Sequence, residues 1–294
     1  MSTTKPIKQK IQQLKEEYDA LQKGKKALLT IIDEAEIPEA VYNSNAIENS
    51  TLTLKETEKI LLEMELSRDI DLREVFEARN LAKVTEYIKE KVKELSTNQE
   101  TILLLHQMLI TNIDDRISGR FRKPGEYVRV GSYIAPAPEK INQMILSILS
   151  EYVNNEKIYF LDKIAKFHLD FETIHPFNDG NGRIGRVLIN FQLFQLGFPS
   201  VIIRNKEKKV YYRAFGEYRD QKNAKTMEKV VYLALIESLH KRITYLKGEK
   251  IITLSDYIKQ YKKSAPAVLN SARRQNIPAF REKGVWKISD SFES

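Results

Sequence analysis

Apolar residues at Ile7, Ile11, Leu14, Tyr18, Leu21 and Leu28 keep the 4-3 spacing of a single helix face. This predicts a long N-terminal helix. Its seam either pairs with a second copy as a coiled coil, giving a homodimer, or packs on the protein's own body. A second helix is predicted over 54–64. A third is predicted over 72–95, with Val75, Leu81, Val84, Ile88 and Val92 turned inward. Ser96-Thr97-Asn98 reads as the cap of the next helix, which contains residues 103–109. The pattern then changes. Residues 120–138 concentrate glycine and proline, and Tyr127-Val128-Arg129-Val130 has strand character, with Ser132-Tyr133-Ile134 following Gly131. A small β-hairpin or extended flap is expected there. Helical periodicity returns over 141–152 and 164–174, and the apolar segment 187–196 stops at Gly197 with Pro199 beyond. The chain reads as mainly α.

Composition narrows the chemistry. The chain has 294 residues, 42% of them hydrophobic and 30% charged, which suits a soluble protein with a substantial core. With no cysteine, disulfides, thiolate metal sites and thiol nucleophiles are excluded. The charged start MSTTKPIKQK leads into no apolar stretch, and no apolar run approaches the ~20 residues that span a bilayer. A cytoplasmic protein without a membrane partner is expected. The net charge is +8, and residues 250–294 hold nine Lys/Arg against four Asp/Glu. So basic a tail suggests an anionic partner such as nucleic acid, although a solvated basic surface has the same composition.

The stretch richest in chemistry is His175-Pro176-Phe177-Asn178-Asp179-Gly180-Asn181-Gly182-Arg183-Ile184-Gly185-Arg186. Pro176 and the glycines break the preceding helix, and a new helix is expected from Val187. Gly180, Asn181 and Gly182 can then present backbone N–H groups as an anion nest at a helix N-terminus. Arg183 and Arg186, three apart, are expected on one side of the first turn, where two guanidiniums suit a polyphosphate. Asp179 would repel phosphate unless it holds Mg2+. His175 titrates near neutrality and can serve as a general base. The literal match of Gly180, Gly182 and Gly185 to a dinucleotide fingerprint is rejected, because Ile164, Phe167, His168, Phe171 and Ile174 give it a helical context rather than a strand before it. No Walker A sequence is present.

These residues resemble the full signature of the Fic family, HxFx[D/E]GNGRxxR. Gly119-Arg120-Phe121-Arg122, Val128-Arg129-Val130-Gly131 and Ala135-Pro136-Ala137-Pro138 are similar to the family's flap region. Phe198-Pro199 and Val201-Ile202-Ile203-Arg204 resemble the family's segment beyond its motif helix. The resemblance implies a helical Fic fold with a β-hairpin flap and a protein adenylyltransferase that moves AMP from ATP to a Ser, Thr or Tyr hydroxyl. It implies His175 as base, Asp179 as ligand of Mg2+, and Gly180, Asn181, Gly182, Arg183 and Arg186 on the phosphates. Phe177 would fix the loop in the core. Tyr211 and Tyr212 would lie near the adenine, and Val128, Arg129 and Val130 would offer an edge to the target protein. Ser44-Asn45-Ala46-Ile47-Glu48-Asn49 resembles the inhibitory motif [S/T]xxxE[G/N], here on a short helix over about 43–50 capped by Asn43 or Ser44. The resemblance implies that Glu48 pairs with Arg186 and withholds it from ATP. Relatives also run the reaction towards AMP removal.

His106 and His168 lie on apolar helix faces and are read as core histidines, His240 as a surface one. After Gly248, a helix starting at Ser264-Ala265-Pro266 carries Arg273 and Arg274, and a terminal hairpin carries Lys283 and Lys287. This order resembles an excisionase-like winged helix-turn-helix, which implies DNA contacts for those four residues. The chain therefore divides into an N-terminal helical region (1–95), a catalytic core (96–245) and a basic C-terminal module (250–294). The competing reading is a DNA-binding regulator whose Fic-like domain senses ATP.

Overall fold

Gly24, with φ +74°, splits the expected N-terminal helix in two. The computed structural model describes residues 3–65 and 70–292. Helix α1 (Lys5–Leu21) is followed by α2 (Lys26–Ile47), which continues through Pro38. The seam of α1 is spent within the chain: Ile11 and Tyr18 are buried in one cluster with Leu235, Leu239 and Ile243. Asn43 and Ser44 sit in the last turn of α2, and Glu48 is its C-cap. The expected N-terminal cap at Asn43 or Ser44 is thus corrected. The sequence ending in Glu48 closes a long helix instead of opening a short one.

Thr53 and Glu56 form a capping box at α3 (Leu54–Glu58), which runs into a π-helical turn at Lys59–Glu63. Asp71 caps α4 (Leu72–Glu90), and Asn98 caps α5 (Gln99–Ile110). The flap is a minimal antiparallel hairpin, β1 (Arg129–Val130) paired with β2 (Tyr133–Ile134). Its turn uses Gly131 at φ +61°. Then come α6 (Pro138–Asn154), α7 (Phe160–Ile174), α8 (Asn181–Gln195), α9 (Lys208–Gln221) and α10 (Lys225–Lys247). Helix α8 begins at Asn181 and not at Val187, so the signature's glycines and arginines form its first turns.

Helices α7 and α8 contribute to two cores. Phe171, Ile184 and Phe191 pack with Leu81, Ile102 and Ile145, while Ile164, Leu169 and Ile189 pack with Ile11, Tyr211 and Leu235. The loop joining α7 to α8 is therefore held at both ends by helices buried in both cores, which suits a site needing fixed geometry.

The C-terminal module contains β3 (Ile251–Thr253), α11 (Leu254–Gln260), α12 (Ala265–Arg273), β4 (Phe280–Glu282) and β5 (Val285–Ser289). Its three-stranded antiparallel sheet has the order β3-β5-β4. The module has a small core of its own, formed by Leu254, Tyr257, Ala272, Ala279 and Ile288. It is also docked through charge. Arg281 lies 2.6 Å from Glu237 and 2.7 Å from Glu207, and the amides of Lys283 and Gly284 donate to Glu39 at 2.9 and 3.1 Å. Glu36 takes Lys241 and the fully buried Arg242 at 2.9 and 2.6 Å. His240, expected at the surface, is buried, with Nδ1 donating to Gln275 Oε1 at 2.9 Å. Neighbouring charges made it look exposed, but those charges are themselves buried and paired. Among the described residues no helix is long and apolar enough to cross a membrane.

Candidate active site

The site is built where α7 ends and α8 begins. His175 is the C-cap of α7 and adopts a left-handed conformation, φ 50° and ψ 62°, uncommon for a non-glycine residue. Arg122, which is buried, fixes it there. Its Nε donates to the His175 carbonyl at 2.9 Å and its amide to the Pro176 carbonyl at 2.9 Å. The remaining guanidinium nitrogens reach the carbonyls of Glu126 and Pro136, both at 2.9 Å. One side chain thus ties the histidine to both roots of the flap. Tyr133 Oη adds a bond to the Thr173 carbonyl at 3.1 Å.

Asn181 closes the loop on itself. Its Oδ1 accepts from the Phe177 amide at 2.9 Å and its Nδ2 donates to the Phe177 carbonyl at 2.8 Å. Phe177 is fully buried and stacks on His106 with ring centres 3.6 Å apart. His106 Nδ1 accepts from the Gly119 amide, leaving Nε2–H to donate to the Asp179 carbonyl, each at 3.1 Å. Burial pushes His106 down to about 4, so it remains the neutral tautomer these bonds require. His168 is also buried, with Nε2 2.7 Å from Tyr211 Oη. Both are core histidines, as expected.

The helix-opening residues have the chemistry to receive an anion. Gly180 is the N-cap of α8 at φ +79°, followed by Asn181, Gly182 and Arg183. Amides here have no intrahelical acceptor and lie at the positive end of the helix dipole. The Glu48 carboxylate already stands at this end: a Cβ placed on Gly182 would lie 2.2 Å from Glu48 Oε1. Arg186 faces the same carboxylate at 2.9 Å. Arg186 also donates from Nε to Ser44 Oγ at 2.9 Å, from Nη2 to the Ser44 carbonyl at 2.8 Å and from Nη1 to Tyr211 Oη at 3.3 Å. Tyr211 is 1% exposed and backs Arg186, whereas Tyr212 is 40% exposed and bonds the Ile47 carbonyl at 3.0 Å.

The two signature arginines diverge instead of sharing a side. Arg186 reaches towards α2. Arg183 is buried and reaches towards α4, with Nη1 3.1 Å from Glu77 and Nη2 3.0 Å from Asp179. Asp179 also meets Arg73 Nη2 at 2.5 Å. Burial alone would raise Asp179, but Arg183, the Gly180 amide and Arg73 outweigh it and hold the carboxyl below its usual range. Asp179 is thus a carboxylate held ionised beside the start of α8, a single hard oxygen donor of the kind that Mg2+ would accept.

Beneath His175 lies Glu172, a buried carboxyl raised to about 8, first by desolvation and then by the charge of Glu48. Its Oε2 lies 3.8 Å from His175 Nδ1. Gly185 makes the room, since a Cβ there would be 2.6 Å from Glu172 Oε1 and 2.7 Å from the His168 ring. Burial lowers His175 to about 4, so it is a neutral proton acceptor at physiological pH. Sequence reasoning missed the roles of Arg73, Glu77, Arg122 and Glu172. The spacing of Arg73 and Glu77, one helical turn apart, was the available signal for that pair.

On the flap, Val128 and Val130 are half-buried and Arg129 is exposed. In the C-terminal module, Arg273 and Arg274 are exposed, whereas Lys283 pairs with Glu58 at 2.8 Å and Lys287 pairs with Glu282.

A histidine-capped loop, a glycine-led helix start and an arginine paired with a glutamate meet here, and residues 96–193 match the family model described as Fic/DOC family. It is similar to the protein adenylyltransferase Fic of Nematostella vectensis, with 30% identity over 187 residues, 62% of this chain and 42% of that protein. The chain thus spans less than half the length of this curated relative. A Fic domain containing signaling protein from Bacteroides thetaiotaomicron is similar in structure, with TM-score 0.73 and 26% identity, over 82% of this chain and 98% of that one. A Fic family protein from Desulfovibrio desulfuricans shares the fold over 100% of this chain and 98% of its own, with TM-score 0.65 and 20% identity.

Proposed function

We propose that this protein is an adenylyltransferase that moves AMP from ATP to a hydroxyl side chain of a protein, and that Glu48 restrains it. The observation that carries this reading is the placement of His175 against an anion site closed by Glu48 and Arg186. In the reaction, neutral His175 accepts the proton of the target hydroxyl. The oxygen attacks the α-phosphorus in line, the α–β anhydride bond breaks and pyrophosphate leaves, so that one phosphoester bond replaces one anhydride bond. Gly180, Gly182 and Arg183 hold phosphate oxygens, and Asn181 holds the loop in shape. Arg186, once released from Glu48, takes the γ-phosphate. Tyr211 positions Arg186, and Tyr212 is the tyrosine open enough to face the base. Asp179 would hold Mg2+, which supplies charge neutralisation on the phosphates.

The flap residues Val128, Arg129 and Val130 offer a short backbone edge to the target, which adds a strand and places its hydroxyl by His175. Glu48 can also orient water for AMP removal, so the parent is expected to run both ways, with removal favoured while Glu48 is in place. The cytoplasm is the proposed site of action. Intact-mass spectrometry after incubation with ATP and Mg2+ tests the reaction class. A gain of one AMP on the chain or on a candidate target supports it; a gain of phosphate or phosphocholine from another donor would replace it.

The C-terminal module supports a second activity. Two short helices followed by a hairpin, with Arg273 and Arg274 exposed, have the order of a winged helix-turn-helix, and we infer salt-sensitive DNA binding through these arginines. Lys283 and Lys287 must exchange Glu58 and Glu282 for phosphate to take part. An absence of DNA affinity at low salt would remove this reading without touching the first.

A further inference from the structure

Two pairs of charged residues, each one helical turn apart, face each other with opposite order. Helix α4 supplies Arg73 and Glu77, and the loop leading into α8, with that helix's first turn, supplies Asp179 and Arg183. They close a square of alternating charge. Its sides are Arg73–Glu77 at 3.2 Å, Glu77–Arg183 at 3.1 Å, Arg183–Asp179 at 3.0 Å and Asp179–Arg73 at 2.5 Å.

The corners are not equivalent. The side chains of Arg183, Glu77 and Asp179 are 3%, 14% and 32% exposed, but that of Arg73 is 53% exposed. Removing Arg183, itself buried, would strand the half-buried Glu77 carboxylate, which is destabilising. Arg73 can leave for water with little penalty, because exposed ion pairs contribute little. Its departure frees one oxygen of Asp179 and leaves Glu77 still paired with Arg183. Among the described residues no group of three or more His, Cys, Asp or Glu side chains could hold a metal. A cation at Asp179 therefore depends on the phosphates arriving with it, and until then Arg73 supplements Arg183, whose single charge is shared between Asp179 and Glu77.

We propose that Arg73 is a positioning residue that substitutes for the divalent cation on Asp179 and moves to a phosphate oxygen when the cation arrives. The proposal rests on the reading of Asp179 as the metal-facing group of an ATP site. Without Arg73, Asp179 would keep only Arg183, which it shares with Glu77, so surplus negative charge would confront metal-free triphosphate and the nucleotide would rely more heavily on Mg2+. The quantity that reports this is the factor by which saturating Mg2+ tightens ATP binding over binding in EDTA, a coupling between two ligands.

The factor is measured by calorimetry with ATP in the Glu48→Gly background, where the phosphate site is open. Arg73→Gln is expected to raise it by about tenfold or more, and Arg73→Lys to keep it near the background value. A general packing defect would weaken ATP equally with and without Mg2+ and leave the factor unmoved. A factor changed by less than about twofold in Arg73→Gln overturns the proposal. Asp179→Asn serves as the separate control. If it leaves the factor at the background value, the reading of Asp179 fails, whatever Arg73 does.

Discussion

Glu48 Oε1 lies 2.9 Å from Arg186 Nη2, and the same oxygen fills the space above Gly182 that any side chain there would need. One carboxylate thus engages both the last signature arginine and the start of α8. Arg186 has a second partner in Ser44, whose hydroxyl and carbonyl both accept from it. A small cavity of about 60 Å3, lined in part by Ser44, Arg186 and Asn190, separates α2 from α8 here.

Ser44→Ala removes one hydrogen bond to a charged group, of the kind that contributes about 1.5–3 kcal/mol. Its carbonyl contact survives, so the variant should raise AMP transfer several-fold yet stay below Glu48→Gly. Steady-state transfer rates of the two variants side by side check the order; a Ser44→Ala rate equal to the parent's would show that the hydroxyl does not restrain Arg186.

Gly185→Ala would drive a methyl group into Glu172 and the His168 ring, both buried. Overpacking of this kind costs about 1–3 kcal/mol. Thermal unfolding should show a clearly lowered midpoint, whereas Gly216→Ala, with open space around it, should not. Equal midpoints would mean that the Gly185 contact is relieved without cost.

The C-terminal module cannot be removed as a free appendage. Ending the chain at Gly248 would strip Arg281 from Glu237 and the β4–β5 turn from Glu39, leaving both carboxylates to share Arg204 and uncovering the surface beneath the module. Arg281→Ala isolates part of this effect and should destabilise by roughly 3–5 kcal/mol, the range for breaking a buried ion pair. Chemical denaturation measures it; a loss below about 1 kcal/mol would place the docking energy elsewhere.

All four histidines are lowered by burial, His106, His175 and His240 to about 4 and His168 to about 3. The unfolded chain binds protons at the usual histidine value near 6.5. Stability from these groups is therefore complete above that pH and lost as pH falls towards 4. Unfolding midpoints should decline steadily from pH 7 to about 4.5, and a flat profile down to about pH 5 would contradict the burial of these rings. Glu172, raised to about 8, acts in the opposite sense, losing stability as pH rises through that value.

The chemistry was legible in the sequence and much of its support was not. His175 to Arg186 is a dense pattern of turn formers and charges, and Asn98 marked the start of α5 correctly. Helix α2 escaped because its second half is buried on all sides: Glu39, Val41, Asn43, Ser44, Asn45, Ala46 and Ile47 are all covered, so no single apolar stripe exists. Its Glu36 and Glu39 interrupt any apolar stripe, and they are buried because Arg242, Lys241 and Arg204 pair with them. The same blindness put His240 at the surface. The two signature arginines were placed together by spacing alone, and only tertiary partners, Glu77 for one and Ser44 for the other, send them apart.

The most direct test of restrained AMP transfer is the rate at which AMP is attached to protein with ATP and Mg2+, followed by intact mass in three forms of the chain. Glu48→Gly should exceed the parent by well over tenfold, which is more than about 1.4 kcal/mol of barrier. Glu48→Gly combined with His175→Ala should attach none while still binding ATP. Transfer by the double variant at the rate of Glu48→Gly, or no gain on removing Glu48, would contradict the roles assigned to these two residues.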